Sequence, residues 1–546
     1  MRNSRLLLAL LALPPAAWAA SHPPGVPYPL RPAALQPSGL AQPLPSTRRY
    51  VLVWQDQLIP DAYSAAQRTW VVTHFVGTQK LFQRQIDAYR SENPGFLMLV
   101  YHLAYGLNGA DQTNPVGNIT SPNGFGQEDA DAFTPWVASH AVTRENAYQH
   151  TGAPPSVQTR VSYPDPYWLM DIAAPEWTSY LADTLLTWTA FPSTSATGVF
   201  FDVAFPPWFN YSPAGWWAGP AGDPSRQGLL AWWNPRASAY FDVLRTQLAP
   251  TAAHPRYLVI PNPDALVDST DEPAFLDSTD GVFTENWQSI LASPGDWNLS
   301  VRRISRYATG PAKVWMADVT QPATSLSQAD RELLVGTYLL IRNGTSYLMF
   351  GNGALAWYPE YEIDLGGYVA EPPADIEQLR IAGGGGASGG LYERRYVAGT
   401  VVVNSSPMPL TYQVTGPLQR AAWSGGGPIA GDATPAPQSL DYSVSVAAGP
   451  LSVPGRSVLV LRSPGGAPPP GVEPGDLVDA GPDAGADAGP DAGSDGGTGG
   501  GDGGPPGSGA VAGSCGCSTA GGAAALLWPL LLLVLSRPGR VRWPAR

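Results

Sequence analysis

The sequence predicts an α/β protein: a (β/α)8 TIM barrel followed by a small antiparallel β-sandwich. Eight apolar, β-rich runs recur at 50–54, 70–76, 96–101, 198–203, 256–261, 281–285, 313–318 and 347–350. Most are continuously apolar, as expected of parallel strands covered on both faces. Helical periodicity fills many of the gaps, the alternation from which such barrels are built. After the eighth run the texture changes to short, alternating, turn-separated strands at 392–404, 410–414, 440–446 and 457–462, the pattern of a sandwich. The barrel is assigned to residues 45–355 and the sandwich to 356–462. A doubly wound open sheet is the alternative, but no GxGxxG follows the first run.

The helical segments justify themselves in order. Residues 79–90 place Leu81, Phe82, Ile86 and Tyr89 on one side. Residues 175–191 open on Pro175, suited to a first helical position, and space Trp177, Leu181, Leu185 and Trp188 along one face. Segments 237–248, 294–307 and 327–342 behave alike. The connection 106–197 is far longer than the others, and only its last part reads as helical. Long loops in compact domains are usually functional. The Gly-rich stretch 383–390 reads as a loop or hinge.

Composition narrows the chemistry. The formal net charge is −13, and the acidic excess stays with residues 20–462, so nucleic acid is not an expected partner. The two cysteines, Cys515 and Cys517, lie outside the body. No P-loop occurs, which argues against nucleotide hydrolysis.

In a barrel, polar residues at strand C-termini face the active-site mouth. Gly198-Val199-Phe200-Phe201-Asp202 and Gly281-Val282-Phe283-Thr284-Glu285 are apolar strands that each stop at a carboxylate. Strands four and six are near neighbours, so Asp202 and Glu285 are expected across a substrate-sized gap. Glycoside cleavage uses such a pair, one group protonating the leaving oxygen and the other attacking the anomeric carbon or activating water. Aromatic residues follow in 205–217, among them Trp208, Trp216 and Trp217, and sugars stack their C–H faces on such rings. Trp54, Asp56, His74, Tyr101, His102, Trp208, Asn262, Trp287, Asp318 and Asn352 are the expected substrate contacts, with Asp264 beside Asn262. No HxH or HExxH spacing exists, so neither a metal nor another cofactor is expected. Asp171 is read as structural, holding the long connection.

The two ends read as export signals. Arg2 and Arg5, the apolar run 6–13 and Ala17-Trp18-Ala19 fit a signal peptide over residues 1–19. Residues 463–513 are rich in Gly, Pro, Ala and Asp, lack Lys and Arg, and read as a solvated acidic linker. Residues 514–546 hold Cys515-Gly516-Cys517, an apolar stretch and Arg537, Arg540, Arg542 and Arg546. This layout resembles the myxobacterial C-terminal sorting tag. The resemblance implies sorting or processing machinery acting at Cys515 and Cys517, membrane contact through the tail only, and a place at the cell surface or outer membrane.

The body carries a second resemblance. Phe200-Phe201-Asp202, Phe283-Thr284-Glu285-Asn286, Trp168-Leu169-Met170-Asp171 with Pro175-Glu176-Trp177, and the β-type ending from Arg395-Tyr396 to Val403-Asn404 resemble hypothetical glycosyl hydrolase family 15. This family is distinct from the true glucoamylases and distantly similar to the α-galactosidase superfamily. By position, the resemblance implies Asp202 as nucleophile or base and Glu285 as acid/base. In the related enzymes the sixth-strand residue is often aspartate, a pattern from which Glu285 departs. The expectation is an extracellular glycoside hydrolase acting on a polysaccharide or glycoconjugate. The alternative is a non-catalytic carbohydrate-binding surface protein on the same scaffold.

Overall fold

The computed structural model describes residues 37–81, 83–108, 125–150, 155–163, 167–187, 196–204, 226–263, 273–351 and 353–466. Eight parallel strands are central: β1 (Leu52–Val53), β2 (Gly77–Gln79), β3 (Leu97–Leu103), β4 (Gly198–Asp202), β5 (Leu258–Pro261), β6 (Gly281–Thr284), β7 (Val314–Val319) and β8 (Ser346–Phe350). They form two four-stranded sheets, ordered β1-β8-β7-β6 and β2-β3-β4-β5. The sheets meet along both pairs of edges. Trp54 bridges Gly77, with the Val76 amide donating to Val53 O at 2.7 Å, and the Asp280 amide donates to Val259 O at 3.0 Å.

Side chains alternate across each strand. One set, including Trp54, Leu99, Phe200, Ile260, Phe283 and Met316, packs into an apolar core enclosed by the two sheets. The other set, including Val100, Phe201, Val282 and Trp315, packs outward in the larger core shared with the helices. Gly77, Gly198 and Gly281 open β2, β4 and β6, where any side chain would run into the neighbouring strand at Leu97, Leu258 and Val314.

Helices α1 (Ala65–His74), α2 (Gln83–Glu92), α3 (Phe125–His140), α4 (Pro175–Thr187), α5 (Arg226–Gln247), α6 (Pro294–Tyr307) and α7 (Gln328–Ile341) lie between the strands. The run 70–76, expected as the second strand, is the last part of α1 and its exit. A capping box between Ser64 and Gln67 starts that helix, and tertiary packing overrides the strand preference of Trp70, Val71 and Val72. The second strand is the short β2 just after it. The long connection after β3 is also less irregular than expected. It holds α3 and a three-stranded antiparallel sheet of Gly106–Asn108, Tyr167–Leu169 and Ser162–Tyr163.

Antiparallel sheets follow. Strands β9 (Arg380–Ala382), β10 (Leu391–Tyr396), β11 (Gly399–Asn404), β12 (Leu410–Val414), β13 (Leu418–Gly425), β14 (Gln438–Val446), β15 (Gly449–Val453) and β16 (Ser457–Arg462) form a six-stranded sheet, β9-β10-β11-β16-β13-β14, and a pair, β12-β15. The run 392–404 is therefore a hairpin rather than one strand. One face of the large sheet packs on the β12-β15 pair through Leu391, Val402, Tyr412 and Leu459. The other packs on α7, where Gly336 is needed because a side chain would overlap Val458. From β10, Arg394 donates to the C-terminal carbonyls of α7, at Leu339 (3.2 Å), Leu340 (3.2 Å) and Arg342 (2.6 Å), which complements that end of the helix.

Candidate active site

Strand parity builds the site. Two residues beyond the inward Phe200, Ile260, Phe283 and Met316 come Asp202, Asn262, Glu285 and Asp318, on the same face of four consecutive strands. Their parallel register brings them level: Phe201 pairs with Pro261, and Ala317 with Thr284. Each apolar strand thus delivers one polar side chain to a common layer above the enclosed core.

The polar layer is joined by hydrogen bonds. Asn262 Nδ2 donates to Asp202 Oδ1 at 2.9 Å and to Glu285 Oε2 at 2.7 Å. The separation of those two oxygens cannot exceed the sum of these distances, about 5.6 Å. Tyr101 donates its hydroxyl to Asp202 Oδ2 at 3.0 Å, and the Val203 amide donates to Asp202 Oδ1 at 2.9 Å. Behind Glu285, Asn286 Oδ1 accepts from Gln288 Nε2 and from Thr320 Oγ1, both at 3.1 Å.

Backbone geometry marks the same places. Gln57, Lys80, Val203 and Asn286 have φ of 53, 60, 56 and 56°, and each directly follows an inward polar residue: Asp56, Gln79, Asp202 and Glu285. The left-handed region is strained for a β-branched residue such as Val203. At each point the chain turns sharply away and leaves the polar side chain at the mouth.

Lys80 is the cation of this layer. Its Nζ lies 3.2 Å from Asp56 Oδ2 and over the rings of Tyr101 and Phe200, 5.1 and 5.4 Å from their centroids. Burial alone would lower the Lys80 pKa, but Asp56, Asp202 and Glu285 outweigh it and hold the ammonium above its ordinary value. Asp318 is the opposite case. Burial, reinforced by Glu285 and Asp56, pushes its carboxyl well above the usual carboxylate range.

The expected contacts divide. Trp54 lies just beneath the layer, edge-on to Phe283 at 5.8 Å. Asp56, Tyr101, Asn262 and Asp318 are in the layer. Three expected contacts are corrected. His74 ends α1, before β2 begins, and stacks on Trp70 at 3.6 Å, which puts it at the strands' N-terminal end. His102 alternates with Tyr101 and points outward, against Trp177 and Phe201. Trp287 is fully buried against Trp315 in the outer core, with no face for a sugar. Trp208, Asp264, Asn352, Cys515 and Cys517 lie outside the described residues. Gln79 and Lys80 were missed because the second strand was expected at 70–76, which left both in a helix. Asp171 caps locally, accepting from the Ala173 amide at 2.8 Å. Among the described residues no group of three or more His, Cys, Asp and Glu is arranged to hold a metal ion.

Two carboxylates joined through one amide, at the C-terminal ends of parallel strands, are an arrangement that can supply an acid and a nucleophile or base. Residues 135–400 match the model of hypothetical glycosyl hydrolase family 15. This segment, just under half of the chain, contains Asp202, Asn262, Glu285 and Asp318. No curated protein matches the chain. Among solved structures, a variant of the trehalulose synthase MutB is similar at 10% identity and TM-score 0.43, covering 75% of this chain and 99% of that one. The isomalto-dextranase of Arthrobacter globiformis T6, complexed with panose, is similar at 10% identity and TM-score 0.36 (80% and 76% covered). Ega3 of Aspergillus fumigatus, complexed with galactosamine, is similar at 11% identity and TM-score 0.30 (60% and 96% covered). Those scores are too low for the likeness to carry an argument.

Proposed function

We propose that the eight parallel strands close into a (β/α)8 barrel acting as a retaining glycoside hydrolase on O-glycosidic bonds of a polysaccharide or glycoconjugate. The closed barrel is supported by the edge contacts at Trp54–Gly77 and Asp280–Val259. The observation carrying the function is the single Asn262 nitrogen shared by Asp202 and Glu285. It keeps the two bonded oxygens within about 5.6 Å of each other, compatible with the roughly 5–5.5 Å used by retaining enzymes and short of the roughly 6.5–9.5 Å that inverting enzymes need for an intervening water.

Asp202, on which Tyr101, Asn262 and the Val203 amide converge, suits the nucleophile. Its carboxylate bonds to the anomeric carbon as the glycosidic C–O bond breaks, and Glu285 gives its proton to the leaving oxygen. Water then attacks the anomeric carbon, Glu285 takes the water's proton, and Asp202 departs as a carboxylate. The sequence features of 1–19 and 514–546 support export and retention at the cell surface, with the acidic linker as a tether. Cell fractionation with an antibody to the body tests that part.

The functional test is release of reducing ends from a polysaccharide panel by the full-length chain. Hydrolysis that is lost in Asp202→Asn and in Glu285→Gln, both folded, supports the reading. Glycan binding without turnover in the wild type would replace it with a carbohydrate-binding protein.

A further inference from the structure

Among the described residues, neither carboxyl oxygen of Asp318 has a hydrogen-bond partner, nor does either amide atom of Gln79, nor Asp56 Oδ1. Asp318 is 1% exposed and Gln79 0%. Buried polar groups are as a rule paired, so two whole side chains lacking partners at one end of the strands is unusual. Both belong to the inward set. Asp318 comes one step after Ala317, which pairs with Thr284, and so stands beside Glu285. Gln79 pairs with Leu99, two residues below Tyr101 on the same face, and so forms part of the floor.

We propose that Asp318 and Gln79 read the hydroxyl groups of the sugar ring whose anomeric carbon faces Asp202, and thereby select which monosaccharide the site accepts. The inference rests on the glycosidase reading. A sugar hydroxyl both donates and accepts. Burial and its acidic neighbours push the Asp318 carboxyl well above the usual carboxylate range; its protonated form offers one donor and one acceptor side, and Gln79 offers both. A ring lacking the matching hydroxyl leaves these groups buried and unpaired, and a site of this kind rejects it strongly. Asp56 is held through Oδ2 by Lys80, while its buried Oδ1 likewise has no partner among the described residues.

The test uses the full-length chain and whichever panel polysaccharide the wild type hydrolyses. Asp318→Leu and Gln79→Leu are expected to raise KM about tenfold or more and to change the ranking of panel substrates. Asp318→Asn, which keeps a donor and an acceptor without a charge, is expected to stay within about threefold of the wild-type KM. Circular dichroism establishes that each variant is folded, and Asp318→Ala replaces Asp318→Leu should the larger side chain fail. Leucine variants with wild-type KM and unchanged substrate ranking overturn this inference and leave the hydrolase reading standing. A wild type that hydrolyses no panel member overturns both.

Discussion

Asp202 and Glu285 accept hydrogen bonds from the same nitrogen, Asn262 Nδ2, at 2.9 and 2.7 Å. An amide nitrogen carries two hydrogens, so each carboxylate takes one. Asn262 thereby fixes the separation of the pair as well as the orientation of each member. Asn262→Ala leaves both carboxylates present but removes the bridge between them. The expected result is a fall in kcat of about a hundredfold with a much smaller change in KM, because misplaced reacting groups cost rate before they cost binding. Steady-state kinetics on the hydrolysed polysaccharide checks this.

Lys80 stands among Asp56, Asp202 and Glu285, whose negative charges hold its ammonium above the ordinary value against the opposing effect of burial. Lys80→Met leaves these carboxylates without that counter-charge and is expected to lower kcat/KM by about tenfold or more. Comparing kcat/KM of variant and wild type is the measurement.

Asp318 is raised well above the usual carboxylate range by burial and by Glu285 and Asp56. A group whose folded pKa is raised gives its full stability below the unfolded pKa, near 3.9, and loses it as pH climbs towards the folded value. Asp318→Asn cannot ionise and escapes that loss. It is expected to melt several degrees above the wild type at about pH 8 and to lose most of the advantage near pH 4. Thermal unfolding at the two pH values decides the matter. A stabilised Asp318→Asn, beside an Asp318→Leu with impaired substrate selection, would mark Asp318 as retained for use rather than for folding.

Arg331 of α7 and Glu360 form a buried two-point pair, with Nη2 to Oε2 at 2.7 Å and a further bond from Nη2 to Gly425 O at 3.2 Å. It ties the helix layer to β13 of the antiparallel sheet. Removing one partner strands a buried charge, so Arg331→Met is expected to lose about 3–5 kcal/mol. The double variant with Glu360→Met is expected to recover most of it. Denaturant unfolding of the three proteins checks both statements.

Asp202 and Glu285 were legible because strand parity is a local property. In Gly198-Val199-Phe200-Phe201-Asp202 the inward Phe200 fixes the direction of Asp202 two residues on, and the same holds for Phe283 and Glu285. Lys80 and Gln79 were hidden by a different local property. The β-branched run around Val71 and Val72 looks extended, and only the Ser64–Gln67 cap together with packing on the strands makes it helical. His102 and Trp287 were expected at the mouth as polar or aromatic residues near strand ends. Parity in one case and the left-handed turn at Asn286 in the other send them outward instead. The Asn262 bridge required three strands in register, which no single segment of sequence discloses.

The pairing of Asp202 with Glu285 is tested most directly by the anomeric configuration of the first product, followed by proton NMR before mutarotation sets in. Two displacements at one carbon, the first by Asp202, predict a product with the configuration of the substrate. A first product of opposite configuration would mean that water attacks directly, and would contradict a nucleophilic Asp202 at this spacing.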